Sequence, residues 1–250
     1  MQMRYKDYGV VVTGGGHGIG KAVIEEFVRE GAQICFVDIN EEYGKALEGD
    51  SIFFYHGDVS LEQDLKQFII FCKEKLERID ILINNACVSH QGIVSQCCYQ
   101  EFQKSLAIGV TAPYYLSLQF QDELKKNHGS IINIASSRAF QSEPNTESYT
   151  SAKGGIVALT HALAISLSGK VRVNCIAPGW IDVNDTKSFS KEDETAIPVG
   201  RVGKPQDIAK MVSFLCSKDA GFITGETFVV DGGMSKRMIY HGDHGWEYHS

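Results

Sequence analysis

The chain predicts a doubly wound parallel sheet of the α/β class, three layers deep (α/β/α), in a single domain spanning residues 1–250. Three observations carry that expectation. Short, wholly apolar runs alternate with longer helix-patterned stretches from residue 9 to residue 230. Strands that are apolar on both faces need cover on both, which a parallel sheet between two helix layers provides. A glycine cluster, Thr13-Gly14-Gly15-Gly16-His17-Gly18-Ile19-Gly20, separates the first apolar run from the first helical stretch. Finally, Asp58, Asn84-Asn85, Ser136-Ser137 and Pro178-Gly179 follow successive apolar runs, and such sheets bind ligands outside the carboxyl ends of their strands.

In order, residues 9–13 (Gly-Val-Val-Val-Thr) read as a strand and 21–30 as a helix. The runs 33–38 and 52–56 are the next strands, each followed by a helix-patterned stretch at 41–47 and 61–78. Residues 81–84 form a fourth strand before one long helical region, 99–126. Strands at 130–135 and 171–176 bracket a helix at 149–167, and a helix at 205–217 precedes the last strand, 227–230. The polar stretch 180–200 is expected as a loop that lids the site, because it follows a strand's carboxyl end.

Composition narrows function. A net charge of −7 and the lack of any Lys/Arg-rich block argue against a nucleic-acid partner. No apolar run approaches the ~20 residues that span a bilayer, and the first seven residues lack a secretory apolar stretch, so a cytoplasmic protein without a membrane partner is expected. Of seven cysteines, Cys35, Cys72, Cys175 and Cys216 lie in apolar segments and read as reduced core residues. Cys97-Cys98 has no second pair at metal spacing, so no metal is expected there.

The glycines after a strand let the backbone turn tightly and approach a pyrophosphate, which the N–H groups and dipole of the following helix meet. Asp38 ends the second apolar run 20 residues beyond Gly18, about where a carboxylate accepts from an adenosine ribose. Tyr149 and Lys153, four apart in a helical segment, share a face. A neighbouring ammonium stabilises a phenolate and brings the phenol toward a general acid or base. Ser136, 13 residues before Tyr149 at a strand end, is placed to polarise a substrate carbonyl.

Thr13 to Gly20, Asn84-Asn85-Ala86, Ser136, Tyr149-x-x-x-Lys153, Pro178-Gly179, Gly200 to Pro205 and Val229 to Gly233 together resemble the short-chain dehydrogenase/reductase family from Gly9 to about Met234. The resemblance implies a Rossmann-type oxidoreductase for a small alcohol or carbonyl substrate, with Tyr149 as acid/base, Lys153 on the nicotinamide ribose and Ser136 on the carbonyl. It also implies a cofactor site of Gly14, His17, Gly18, Ile19 and Gly20 at the pyrophosphate and Asp58 and Val59 at the adenine. Asn85 and Ala86 would line the adenosine side, with Pro178, Gly179 and Ile181 at the nicotinamide. Asp38 favours NAD, since its charge repels a 2′-phosphate; NADP is the alternative, which a basic His17 would assist.

The chain departs from the family pattern at three places. Gly109 stands in Leu106-Ala107-Ile108-Gly109-Val110-Thr111-Ala112-Pro113 where the family places an Asn that holds a water of a proton relay. A dinucleotide-binding regulatory or low-activity module on the same scaffold is therefore the alternative function. Cys87 replaces the usual Gly after Asn-Asn-Ala, and Val183 replaces a Thr that contacts the nicotinamide side. The extension 235–250 carries His241, Asp243, His244, Glu247 and His249; it reads as a mobile or partner-docked tail rather than a metal site. The family implies a homodimer or homotetramer, for which Met238-Ile239-Tyr240 and Trp246 offer apolar anchors. Segments 89–96, 138–148 and 180–200 face the substrate, and His90, Gln91, Arg138 and Trp180 within them suit a sugar, polyol or hydroxy acid better than a steroid.

Overall fold

The computed structural model describes residues 3–89, 92–186, 188–243 and 247. Seven strands, β1 (Gly9–Thr13), β2 (Gln33–Asp38), β3 (Ile52–His56), β4 (Ile81–Asn84), β5 (Ser130–Ile134), β6 (Arg172–Pro178) and β7 (Thr227–Val230), form one sheet. Their order is β3-β2-β1-β4-β5-β6-β7, with every neighbouring pair parallel. The chain winds outward from β1 to β3, then returns to the other side of β1 with β4. That reversal opens a crevice between the carboxyl ends of β1 and β4.

The pleat divides the core. Val10, Val12, Ile34, Phe36, Ile81 and Ile83 face one side, where Ala22, Val23 and Phe27 of α1 (Gly18–Arg29) and Ile208, Val212 and Leu215 of α8 (Pro205–Cys216) cover them. Val11, Cys35, Val37, Leu82, Ile131 and Val173 face the other, against α3 (Glu62–Lys75) and α5 (Ala112–Asn127). Alternate strand residues thus supply both layers, which is why the runs are apolar throughout. Cys35, Cys72, Cys175 and Cys216 are buried free thiols, and burial pushes Cys175 up to about 11 and Cys216 up to about 12.

Several boundaries differ from the sequence expectation. The long helix over 99–126 is interrupted: α4 (Tyr99–Leu106) passes through a π-helical turn, Ala107–Thr111, into α5, which has Pro113 in its first turn. Proline lacks the N–H of an ordinary helical bond, and a π turn ahead of it absorbs the mismatch. β6 runs on to Pro178, and α6 (Glu147–Ser166) begins two residues earlier than expected. The stretch 180–200 is not all loop, since it contains α7 (Lys191–Ala196), capped reciprocally by Ser190 and Asp193. That box, Ser-x-x-Asp, was readable in the sequence. The remaining helix, α2 (Glu41–Lys45), is capped by Asn40, whose side chain accepts from Tyr43 N–H at 3.0 Å.

Candidate functional site

A cleft of about 410 Å³ opens at the carboxyl ends of β1, β2 and β4, lined by Gly14, His17, Gly18, Ile19, Asp38, Asp58, Val59, Asn85 and Ala86 among others. Its floor is the turn after β1. Gly14, at φ +65°, accepts no side chain, because a Cβ there would stand 2.9 Å from Cα of Ala86. Gly20 lies behind the cleft and holds α1 against the turn: a Cβ there would sit 2.0 Å from the Gly14 carbonyl oxygen. Asn85 does more than line the cleft. Its side-chain amide donates to the carbonyls of Thr13 (3.1 Å) and Gly14 (2.8 Å), while the Thr13 hydroxyl accepts from the N–H groups of Asn85 and Ala86.

Asp38 closes one end. Its Oδ2 accepts from Gly16 N–H at 2.8 Å and its Oδ1 from Asn40 N–H at 2.9 Å, so the carboxylate is fixed with lone pairs left over. His17 stacks on Tyr43 beside it, ring centroids 5.4 Å apart. After β3, the strand next to β2, Asp58 accepts from Lys104 Nζ at 2.9 Å and from Ser60 N–H at 2.9 Å. Burial pushes the Asp58 carboxyl up, but these hydrogen bonds outweigh it and hold it below its ordinary value. Lys104 escaped the sequence analysis because 46 positions separate it from Asp58. Val183 borders the same cleft, with its Cγ1 only 3.0 Å from where a Cβ on Gly18 would be.

The second group of predicted residues gathers at the ends of β5 and α6, outside the lining of this cleft. Ser136 begins the short turn after β5, and its Oγ accepts from Arg138 N–H at 3.2 Å. Lys153 is only 3% exposed, and its Nζ donates to the Ile134 carbonyl at 2.7 Å. Its charge stands 5.4 Å from the centroid of the Tyr149 ring, one helical turn away. The Arg138 guanidinium lies 5.9 Å from the same centroid, so two cations stand near one phenol ring. A buried ladder ties α6 to the sheet: Asn84 donates to Asn133 (2.8 Å), and Asn133 donates to Thr160 of α6 (2.9 Å).

Pro178, Gly179 and Ile181 mark the end of β6. Gly179 N–H donates to the Val230 carbonyl at 3.1 Å, and a Cβ on Gly179 would meet Asp231 at 2.5 Å. Ile181 bridges to Gly203 and packs against the core rather than lining the cleft. Among the described residues no three His, Cys, Asp or Glu side chains gather as a metal site, and no helix is long and apolar enough to cross a membrane. His90, Gln91, His244, Trp246 and His249 lie outside the described residues.

A doubly wound parallel sheet with a glycine turn at its switch point, and a serine, tyrosine and lysine gathered at neighbouring strand and helix ends, defines a class of oxidoreductase fold. The chain belongs to the short-chain dehydrogenase/reductase family, an oxidoreductase family. Residues 14–235 match the family described as Enoyl-(Acyl carrier protein) reductase. An apo SCOR enzyme from Clostridium thermocellum is 57% identical in its solved structure, with TM-score 0.93 over 98% of this chain and 99% of that one. An uncharacterized oxidoreductase of Thermotoga maritima is 42% identical over 247 residues, 92% of this chain and 96% of its own. A 3-ketoacyl-(acyl-carrier-protein) reductase from Brucella melitensis, solved in complex with NADH, is 31% identical with TM-score 0.85 over 92% of this chain and 99% of that chain.

Proposed function

We propose that this chain is an NAD-dependent oxidoreductase that moves hydride between nicotinamide and a secondary alcohol or ketone, with Tyr149 as general acid/base. The observation that carries it is the buried Lys153 ammonium 5.4 Å from the Tyr149 ring centroid, one turn along α6.

The residues fit the cofactor. Gly14 and Gly16 leave a cradle that a Cβ would fill, since one on Gly16 would reach Asp38 Oδ2 at 3.0 Å. Gly18 and Ile19 at the start of α1 would hold the pyrophosphate with His17 and Gly20 shaping the turn. Asp58, Val59, Asn85 and Ala86 would border the adenosine half, and Pro178, Gly179 and Ile181 the nicotinamide half. Asp38, held by two N–H donors, would accept from ribose hydroxyls and repel a 2′-phosphate, which favours NAD over NADP. When bound, the dinucleotide supplies a hydride acceptor or donor at its nicotinamide ring.

The chain's own groups do the rest. Ser136 Oγ already accepts from Arg138 N–H, so its proton is free to donate to a carbonyl oxygen. Tyr149 exchanges a proton with the same oxygen, with the Lys153 and Arg138 cations 5.4 and 5.9 Å from its ring centroid. Self-association as a dimer or tetramer belongs to the same proposal; Tyr114 and Leu118 of α5 and Ile165 of α6 are exposed apolar residues available for it.

The test is absorbance of reduced nicotinamide with NAD or NADP and a panel of polyols, sugars, hydroxy acids and steroid alcohols, with Tyr149→Phe alongside. Turnover with NAD that disappears in the variant is the expected result; turnover that survives it removes Tyr149 from the chemistry. NADH binding with no turnover across the panel favours the second reading, a binding module, for which Gly109 in place of the relay Asn is the observation.

A further inference from the structure

We propose that Arg138 is the substrate-selecting residue of the Tyr149 site and that it takes a carboxylate, so that the substrate is a short hydroxy or oxo acid. This rests on the assignment of Tyr149 as acid/base and narrows the substrate class for that same site.

Arg138 is tied to both polar groups of the site. Its backbone N–H donates to Ser136 Oγ at 3.2 Å, and its guanidinium lies 5.9 Å from the Tyr149 ring centroid. A group held at this place is close to whatever Ser136 and Tyr149 hold. Lys153, the other cation at the ring, is buried and engaged with the Ile134 carbonyl. Arg138 instead keeps 32% of its side chain exposed.

The guanidinium is half used. Nη2 is paired with the Glu143 carboxylate, and among the described residues Nε and Nη1 have no protein acceptor. A planar fork with an open edge matches the two oxygens of a carboxylate. Glu143 shows that a carboxylate fits there, and with 69% of its side chain exposed it forms the kind of ion pair that exchanges readily.

Among the described residues near Arg138, Asn145 and Glu147 are engaged with the protein itself. Asn145 Oδ1 accepts from Gly92 N–H (2.9 Å) and Ser95 N–H (3.0 Å), and its Nδ2 donates to Ser95 Oγ (2.7 Å). Glu147 accepts from Ile93 N–H at 3.1 Å. A substrate carboxylate that displaces Glu143 would replace one ion pair of Arg138 by another, an exchange that a neutral sugar cannot make.

The experiment titrates lactate, 3-hydroxybutyrate and their methyl esters into the full chain loaded with NAD, by calorimetry, in wild type, Arg138→Met, Arg138→Lys and Glu143→Gln. At least one acid should bind tenfold or more tighter than its ester in wild type. That preference should collapse in Arg138→Met, recover in part in Arg138→Lys and rise in Glu143→Gln, where the competing carboxylate is gone. Retained NADH affinity and melting temperature establish that each variant is folded, and Glu143→Gln provides the reading if Arg138→Met is not. Equal binding of acid and ester in wild type, no binding of either acid, or a preference unchanged in Arg138→Met overturns the proposal. Those results leave Tyr149-dependent turnover of other alcohols standing, whereas turnover that survives Tyr149→Phe strikes the underlying assignment instead.

Discussion

Gly109 of the π-helical turn lies so close to Ala152 of α6 that a Cβ at residue 109 would stand 2.8 Å from the Ala152 Cβ. The contact is reciprocated one turn along, where a Cβ on Gly155 would stand 2.8 Å from Val110 Cγ2. Two glycines therefore let α6, and with it Lys153, approach the π turn more closely than ordinary side chains permit. The Asn that the family places at this position has no room here. We expect Gly109→Asn to destabilise the fold by about 1–3 kcal/mol through overpacking and to leave NADH-linked turnover no higher. Denaturant unfolding and steady-state rates check both; a stable variant with raised turnover would mean that α6 can retreat.

Asp38 offers the cofactor test. Asp38→Asn keeps an acceptor for Gly16 N–H or Asn40 N–H but removes the charge. Hydrogen bonds to a charged group contribute about 1.5–3 kcal/mol, so NAD affinity should fall about 10- to 100-fold. The NADP-to-NAD ratio of kcat/KM should rise by tenfold or more. An unchanged ratio would detach Asp38 from cofactor choice.

Asn145 pins the loop after β4 to the start of α6. It sits at φ +67°, and its side chain makes the three hydrogen bonds to Gly92 and Ser95. Asn145→Gly keeps the backbone relaxed while deleting those bonds, each worth about 0.5–1.5 kcal/mol. Amide exchange over residues 92–96 should accelerate, and KM should rise more than kcat falls. Exchange rates equal to wild type would show that Glu147 alone retains the loop.

Asp58 supplies a pH dependence. Burial opposes its charge, but the hydrogen bonds from Lys104 and Ser60 prevail and hold the folded-state carboxyl below its ordinary 3.8. A depressed carboxyl contributes stability that is fully present above the unfolded value and lost as pH falls through the folded one. Asp58→Asn should therefore lower the melting temperature at pH 7, with the gap to wild type closing below about pH 4. A gap that stays constant between pH 7 and pH 3 would refute the ion pair's role.

The parallel sheet and its element order were legible because both rest on local pattern: apolar runs, helical spacing, and glycines at a turn that only they can make. The strand ends at Asp38, Asn85 and Ser136 could likewise be read, since a doubly wound sheet brings all its carboxyl ends to one edge. The helix spacing of Tyr149 and Lys153 already placed both on one face. By itself the sequence determined which residues reach that edge.

Tertiary structure decided how they meet. The Lys104 bond to Asp58 spans 46 positions, and the Gly109 contact with Ala152 joins two helical segments far apart in the chain. The guanidinium of Arg138 reaches the Tyr149 ring because the turn after β5 aims it there, while the interlock at Gly109 and Gly155 sets how deeply α6 settles. Spacing along a chain fixes directions within one element, but distances between elements depend on the volumes of the side chains packed between them.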